Sequence, residues 1–171
     1  TDALSDARTL PVLKLGRTDR SDAAVMARAR FDLLESVAIQ YPEMTTIHTR
    51  DGFAMPARIL RPHNFNPNGR HPVIMAVYGG ASSATVQDQW QSDILFYQLL
   101  LAEGYVVVKV DNRSATGTSK ALENIVVGHL ADTETADLVD AARWLKRQSW
   151  IDSTRVGVWG WSNGGYVTLQ L

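Results

Sequence analysis

At 171 residues, with 45% hydrophobic and 20% charged content, the chain is long enough for one globular domain with its own core, and its composition is neither disordered nor collagen-like. Seventeen Lys and Arg against eighteen Asp and Glu leave a net charge of -1, so no global field draws it to nucleic acid or an anionic membrane. The lack of cysteine excludes disulfides, thiolate metal sites and cysteine nucleophiles, and the longest apolar runs, such as Val73 to Tyr78, fall far short of the roughly 20 residues of a membrane helix.

Residues 1–20 mix small polar residues with a short apolar run, Leu10 to Leu15, interrupted by Pro11 and Gly16, and read as linker or the edge of a preceding domain. Ser21 suits an N-cap, and Val25, Met26, Ala29 and Leu33 recur at helical spacing, so a helix is expected over 22–36. Between Thr45 and Leu60 the pattern predicts a hairpin. Thr46, Ile47 and Thr49 favour strand, Asp51-Gly52 is a turn dipeptide, and Phe53 to Leu60 resumes extended structure. Pro56 cannot donate to a ladder and argues that the second strand lies at an edge. The run 61–72, RPHNFNPNGRHP, reads as a surface loop.

One arrangement then repeats. Val73 to Val77 is a continuous apolar run, the mark of a strand covered on both faces, and it ends at Tyr78-Gly79-Gly80. Trp90, Ile94, Tyr97 and Leu101 share one face of a helix that Gly104 stops, and Tyr105 to Val110 is a second buried strand. Leu138, Ala141, Ala142 and Leu145 form another helical stripe, acidic at its start and basic at its end as the helix dipole favours, and Val156 to Trp159 is a third strand. Strands alternating with helices imply an α/β fold with a mainly parallel sheet and ligands at the carboxyl ends of its strands. Three loops lie there: Tyr78 to Ala84, Asp111 to Lys120 and Trp161 to Gly165.

The last loop carries Gly160-Trp161-Ser162-Asn163-Gly164, with Gly165 adding room. A sharp strand-to-helix turn that exposes a nucleophilic serine needs small residues two before and two after it, because side chains there would collide with neighbouring backbone. Gly160 and Gly164 meet that need and make Ser162 the candidate nucleophile. Tyr78 ends a neighbouring strand, and its phenol can donate to a developing oxyanion; the residues alone leave open whether it is only a strand-end aromatic. The backbone N–H of Asn163 would be a second donor.

A serine also needs a base. His48, His63, His71 and His129 all precede Ser162, whereas the acid and histidine of the α/β-hydrolase order follow the serine. Asp132, Glu134 and Asp137 stand ahead of a helix, where the dipole accounts for them. No H-E-x-x-H, G-x-G-x-x-G or phosphate-loop pattern occurs, so neither a metal nor another cofactor is implied. The chain opens on Thr1 with no signal-like segment and closes at Leu171 inside a promising helix, which suggests a segment of a longer protein.

From about Thr45 to Leu171 the chain resembles the catalytic domain of the prolyl oligopeptidase family of serine peptidases, especially its dipeptidyl-peptidase branch. The resemblance rests on HPVIMAVYGG, on the Asp-x-Arg loop in VVVKVDNRSATG and on the nucleophile motif RVGVWGWSNGGYVT. It implies an α/β-hydrolase fold truncated after the nucleophile elbow, with Ser162 as nucleophile, the Tyr78 hydroxyl and Asn163 N–H as oxyanion hole, and Tyr166 as a wall of the pocket for the residue before the scissile bond. Two positions depart from the pattern: Asn163 stands where these enzymes commonly have tyrosine, and Ser114 where glycine usually follows the arginine.

The expected organisation is therefore a linker and helix over 1–44, as the exit of an upstream propeller, and the N-terminal half of a catalytic domain over 45–171. The expected activity belongs to the intact parent, whose acid and histidine would lie beyond Leu171; these residues alone would be inactive. Its partner would be a short peptide substrate, with no nucleic acid and no membrane span, and with oligomerisation left to regions outside this chain. The alternatives are an esterase or acylaminoacyl hydrolase on the same fold, or a non-catalytic relative that binds a partner.

Overall fold

The computed structural model describes residues 2–171 except 18, 20–22, 31, 35 and 36. Strands β1 (Asp2–Leu4), β2 (Val12–Leu15) and β3 (Ala24–Arg28) form a three-stranded antiparallel sheet. After a 3₁₀ turn at Asp32–Leu34 come the strands β4 (Glu43–His48), β5 (Ala54–Leu60) and β6 (His71–Val77), then α1 (Ile94–Ala102) and β7 (Val106–Val110). The chain continues through a short α2 (Lys120–Glu123), a 3₁₀ turn at Asn124–Val126, α3 (Asp132–Lys146), β8 (Ile151–Gly160) and α4 (Asn163–Gln170).

The helix expected over 22–36 is not formed where it can be described. Ser21 and Asp22 lie outside the described residues, but Val25 and Met26 belong to β3, which pairs with β2 through Val12↔Arg28 to Leu15↔Ala24 with a register shift at Leu13/Lys14. All five residues of β3 are exposed, so the helical spacing buries no stripe; the ladder with β2 satisfies the backbone instead and overrides a local preference worth only tenths of a kcal/mol per residue.

The second sheet has five strands in the order β4-β5-β7-β6-β8. The hairpin β4–β5 turns at Asp51-Gly52 as expected, Gly52 taking the positive φ of 85°. β5 is not an edge strand, because β7 pairs with its other side. Pro56 is tolerated there because the β5–β7 ladder begins one residue later, at Ala57↔Val110. The Pro56 carbonyl still accepts from the Asp111 N–H at 3.0 Å, so its missing donor falls beyond the end of the ladder. Both pairings of β5 are antiparallel and both pairings of β6 are parallel. The fold class is the expected α/β, in a mixed sheet whose parallel half is β7-β6-β8.

The runs of β6 and β7 are apolar because each of these two strands is covered on both faces. Met75 and Val77 of β6, and Val106, Val108 and Val110 of β7, face Leu138, Ala141 and Leu145 of α3 and Val167 of α4. Ala76 and Val107 face Ile94, Tyr97 and Leu101 of α1, and Trp90 packs into the same cluster although α1 begins only at Ile94. From β6 the chain passes under α1 to β7 on one side, then under α3 to β8 on the other. The order thus reverses at β6, and in such sheets ligands gather at the carboxyl end of the reversal point. That end is Val77-Tyr78.

Candidate active site

β8 ends at Gly160 beside Val77, and α4 begins at Asn163, so the chain turns from strand to helix across two residues. Ser162 makes the turn with φ 55° and ψ −121°, a combination that non-glycine residues seldom adopt and that costs about 1–3 kcal/mol. The side chain is exposed above the sheet rim. A Cβ on Gly160 would lie 2.3 Å from the Gly164 carbonyl oxygen, and one on Gly164 would lie 2.2 Å from the Val77 oxygen and 3.0 Å from Tyr78 Cα. The turn is therefore jammed against the end of β6, and only glycine fits at either position. The Asn163 N–H opens α4, among the first-turn donors for which a helix has no internal acceptor.

Tyr78 stands opposite, at the end of β6. The Asn163 side chain donates from Nδ2 to the Tyr78 carbonyl at 2.9 Å. Gly79 takes a positive φ of 72°, and the Tyr78 ring folds over Gly80, whose Cβ would meet Tyr78 Cε1 at 2.8 Å. The segment that follows is held from the end of β7. The Asp111 carboxylate, 2% exposed, accepts from the backbone of Thr85 and Val86 and from the Thr85 hydroxyl. Lys109 Nζ donates to Gln91 Oε1 at 2.9 Å and to Asp93 Oδ2 at 2.5 Å. Between Lys109 and Trp159 the small Ala76 leaves a pocket on the α1 face, bounded by Tyr78, Tyr97 and Trp161. Burial, with the charge of Asp93 beside it, pushes the Tyr97 phenol up to about 12.

Around this centre runs a set of ion pairs that sequence reading missed. Arg113 binds Asp137 through Nε and Nη2 and Asp51 through Nη1 and Nη2, tying the loop after β7 to α3 and to the β4–β5 turn. Arg50 ties the β4–β5 turn to α3 a second time, through Asp140. Hydrogen bonds from Arg113, then Thr49, hold the Asp51 carboxyl well below its usual range, and those from Arg50 hold Asp140 at about 2. The dipole reading of Asp137 is therefore corrected: its carboxylate is 2% exposed and grips Arg113. Glu134 is also buried, with neither oxygen hydrogen-bonded. Ser114 fits its loop by using its oxygens, Oγ accepting from Asn112 and the carbonyl from the Ser82 N–H. Lys109, a charge inside an apolar strand, belongs to a separate pair with Asp93 on the α1 face.

Three histidines have partners of their own, and the fourth, His48, is exposed at the end of β4. His63 bonds Gln40, His71 stacks on Phe65, and His129 stands 3.5 Å from Asp132. Tyr166 lies on α4, half exposed. No group of three or more metal-binding side chains occurs among the described residues, and no helix there is long and apolar enough to cross a membrane.

A mixed sheet reversing at β6, with a strained serine between two close-packed glycines, has the architecture of the α/β-hydrolase fold as far as its nucleophile elbow. The model of the prolyl oligopeptidase family matches residues 90–171. A probable dipeptidyl-aminopeptidase B of Ajellomyces capsulatus is 34% identical over 143 residues, covering 84% of this chain and 15% of that protein. A namesake from Uncinocarpus reesii is 35% identical over 122 residues, 71% of this chain and 13% of its own. The crystal structure of Porphyromonas gingivalis dipeptidyl peptidase 4 superposes with a TM-score of 0.91 at 29% identity, covering 98% of this chain and 24% of that one. A putative dipeptidyl aminopeptidase IV from Bacteroides ovatus gives 0.85 at 29% identity, covering 97% and 24%. The chain belongs to the prolyl oligopeptidase family, on its dipeptidyl-peptidase branch. It spans about 15% of the length of the curated relatives it matches.

Proposed function

We propose that the chain is the nucleophile-bearing part of a serine peptidase that releases dipeptides from short peptides. The observation that carries this reading is the Ser162 turn, whose φ of 55° a serine adopts only where the surroundings enforce it. Ser162 Oγ attacks the scissile carbonyl carbon while a histidine, held with its acid partner in the rest of the protein, takes the hydroxyl proton. The carbonyl π electrons move to oxygen, and the Tyr78 hydroxyl and Asn163 N–H donate to the resulting oxyanion. Collapse breaks the C–N bond, the histidine returns its proton to the departing amine, and water then hydrolyses the acyl ester. Tyr166 walls the pocket for the residue before that bond. The three-stranded antiparallel sheet formed by β1, β2 and β3 supports reading 1–44 as the exit of an upstream propeller, with a strand at Ala24–Arg28 in place of the expected helix.

The full-length protein is to be assayed on dipeptidyl anilides, simple esters and acylaminoacyl substrates. Dipeptidyl hydrolysis abolished by Ser162→Ala is the expected result; hydrolysis unchanged in that variant overturns the assignment. The residues 1–171 alone should show no more than the small residual rate that survives loss of a triad partner.

A further inference from the structure

We propose that the Asn163 side chain is a positioning device for the oxyanion hole, fixing the strand end that carries the Tyr78 phenol against the turn that supplies the backbone donor; this rests on the hydrolase reading above. The two donors are 85 residues apart in sequence and belong to different elements, so nothing local relates them. Close packing of Gly164 on Val77 and Tyr78 sets how near the elbow and strand end can come, but repulsive contacts do not fix sliding or rotation. A hydrogen bond does, because it is directional.

Tyr78 needs such a restraint. It is followed by Gly79 and Gly80, the two most permissive residues available, and the next anchors along the chain are the Ser82 N–H on the Ser114 carbonyl and the Asp111 clamp on Thr85. The Asn163 bond acts directly on the Tyr78–Gly79 peptide, at the first point where the chain leaves β6. Its acceptor is a carbonyl, so the amide nitrogen must be the facing atom. One residue thus gives its backbone donor to the hole and its side chain to placing the other donor. Preorganised donors are the part of such a site whose misplacement is felt in the transition state rather than in the bound substrate.

The test is a double-mutant cycle in the full-length protein, with Asn163→Leu, Tyr78→Phe and the pair, assayed on a dipeptidyl anilide. Removing the restraint should lower kcat about tenfold with KM nearly unchanged, the size of one neutral hydrogen bond. Tyr78→Phe should lower kcat by about 10²- to 10³-fold. If Asn163 acts through the phenol, the pair is no slower than Tyr78→Phe alone. Fold-reductions that multiply, or an Asn163→Leu enzyme at wild-type rate, overturn the proposal. Should Asn163→Leu fail to fold, Asn163→Ala carries the same cycle. Hydrolysis that survives Ser162→Ala would instead remove the hydrolase reading, so the two failures are distinguishable.

Discussion

Two glycines at the site have opposite kinds of neighbour, and their substitutions should separate stability from rate. A methyl group on Gly164 meets backbone, the Val77 oxygen at 2.2 Å, which moves only if β6 and the elbow part. Gly164→Ala should therefore destabilise the full-length protein by on the order of 3 kcal/mol, the upper range for overpacking, seen as a lower urea midpoint. A methyl group on Gly80 meets the Tyr78 ring instead, at Cε1, and a ring can swing away. Gly80→Ala should leave the midpoint nearly unchanged and lower kcat by about 10- to 100-fold, because on the proposed mechanism the phenol is displaced from the oxyanion. The elbow glycines were legible in the sequence from their spacing about Ser162. The role of Gly80 was not, since it depends on the rotamer of a tyrosine two residues away.

Among the elements, the β4–β5 turn is fastened to α3 by charge. Asp51 and Asp140 both have depressed pKa values, Asp51 through Arg113 and Thr49, Asp140 through Arg50, which places it at about 2. A carboxylate whose folded value is depressed contributes stability that is complete above its unfolded value near about 3.9 and is lost as pH falls through the folded value. Thermal melts should accordingly show a falling midpoint between about pH 4 and pH 2. Asp140→Asn should flatten part of that fall while lowering the midpoint at neutral pH; an unchanged pH profile would show that Asp140 titrates alike in both states. Sequence reading found this hairpin through Asp51-Gly52 and the strand propensities of Thr46 and Ile47. It misplaced β5 at an edge because Pro56 constrains only its own nitrogen, and where a ladder ends is settled by the partner strand. β3 was misread for a related reason: Ala24 to Arg28 suit a helix locally, and only β2 supplies the ladder that wins.

At the scale of the molecule, β8 is ten residues long and pairs only with β6 among the described residues, with Trp159 and Trp161 exposed near its end and Leu169 exposed on α4. Unpaired strand edges flanked by apolar surface recruit other chains. The 171 residues expressed by themselves should therefore self-associate, measured by light scattering after gel filtration; a monomer that unfolds cooperatively would show that the edge is tolerated.

What the sequence by itself determined is local and periodic. The continuous apolar run Val73 to Val77 and the run Val106 to Val110, broken only by Lys109, specify strands buried on both faces, helical stripes between them specify an α/β sheet, and glycines spaced about Ser162 specify a turn that larger residues cannot make. What only the tertiary structure decided is pairing between distant segments. The Asn163 bond to Tyr78, the grip of Asp137 on Arg113, the interior place of β5 and the choice of strand at Ala24–Arg28 each depend on a partner far along the chain, and no local spacing encodes which partner arrives.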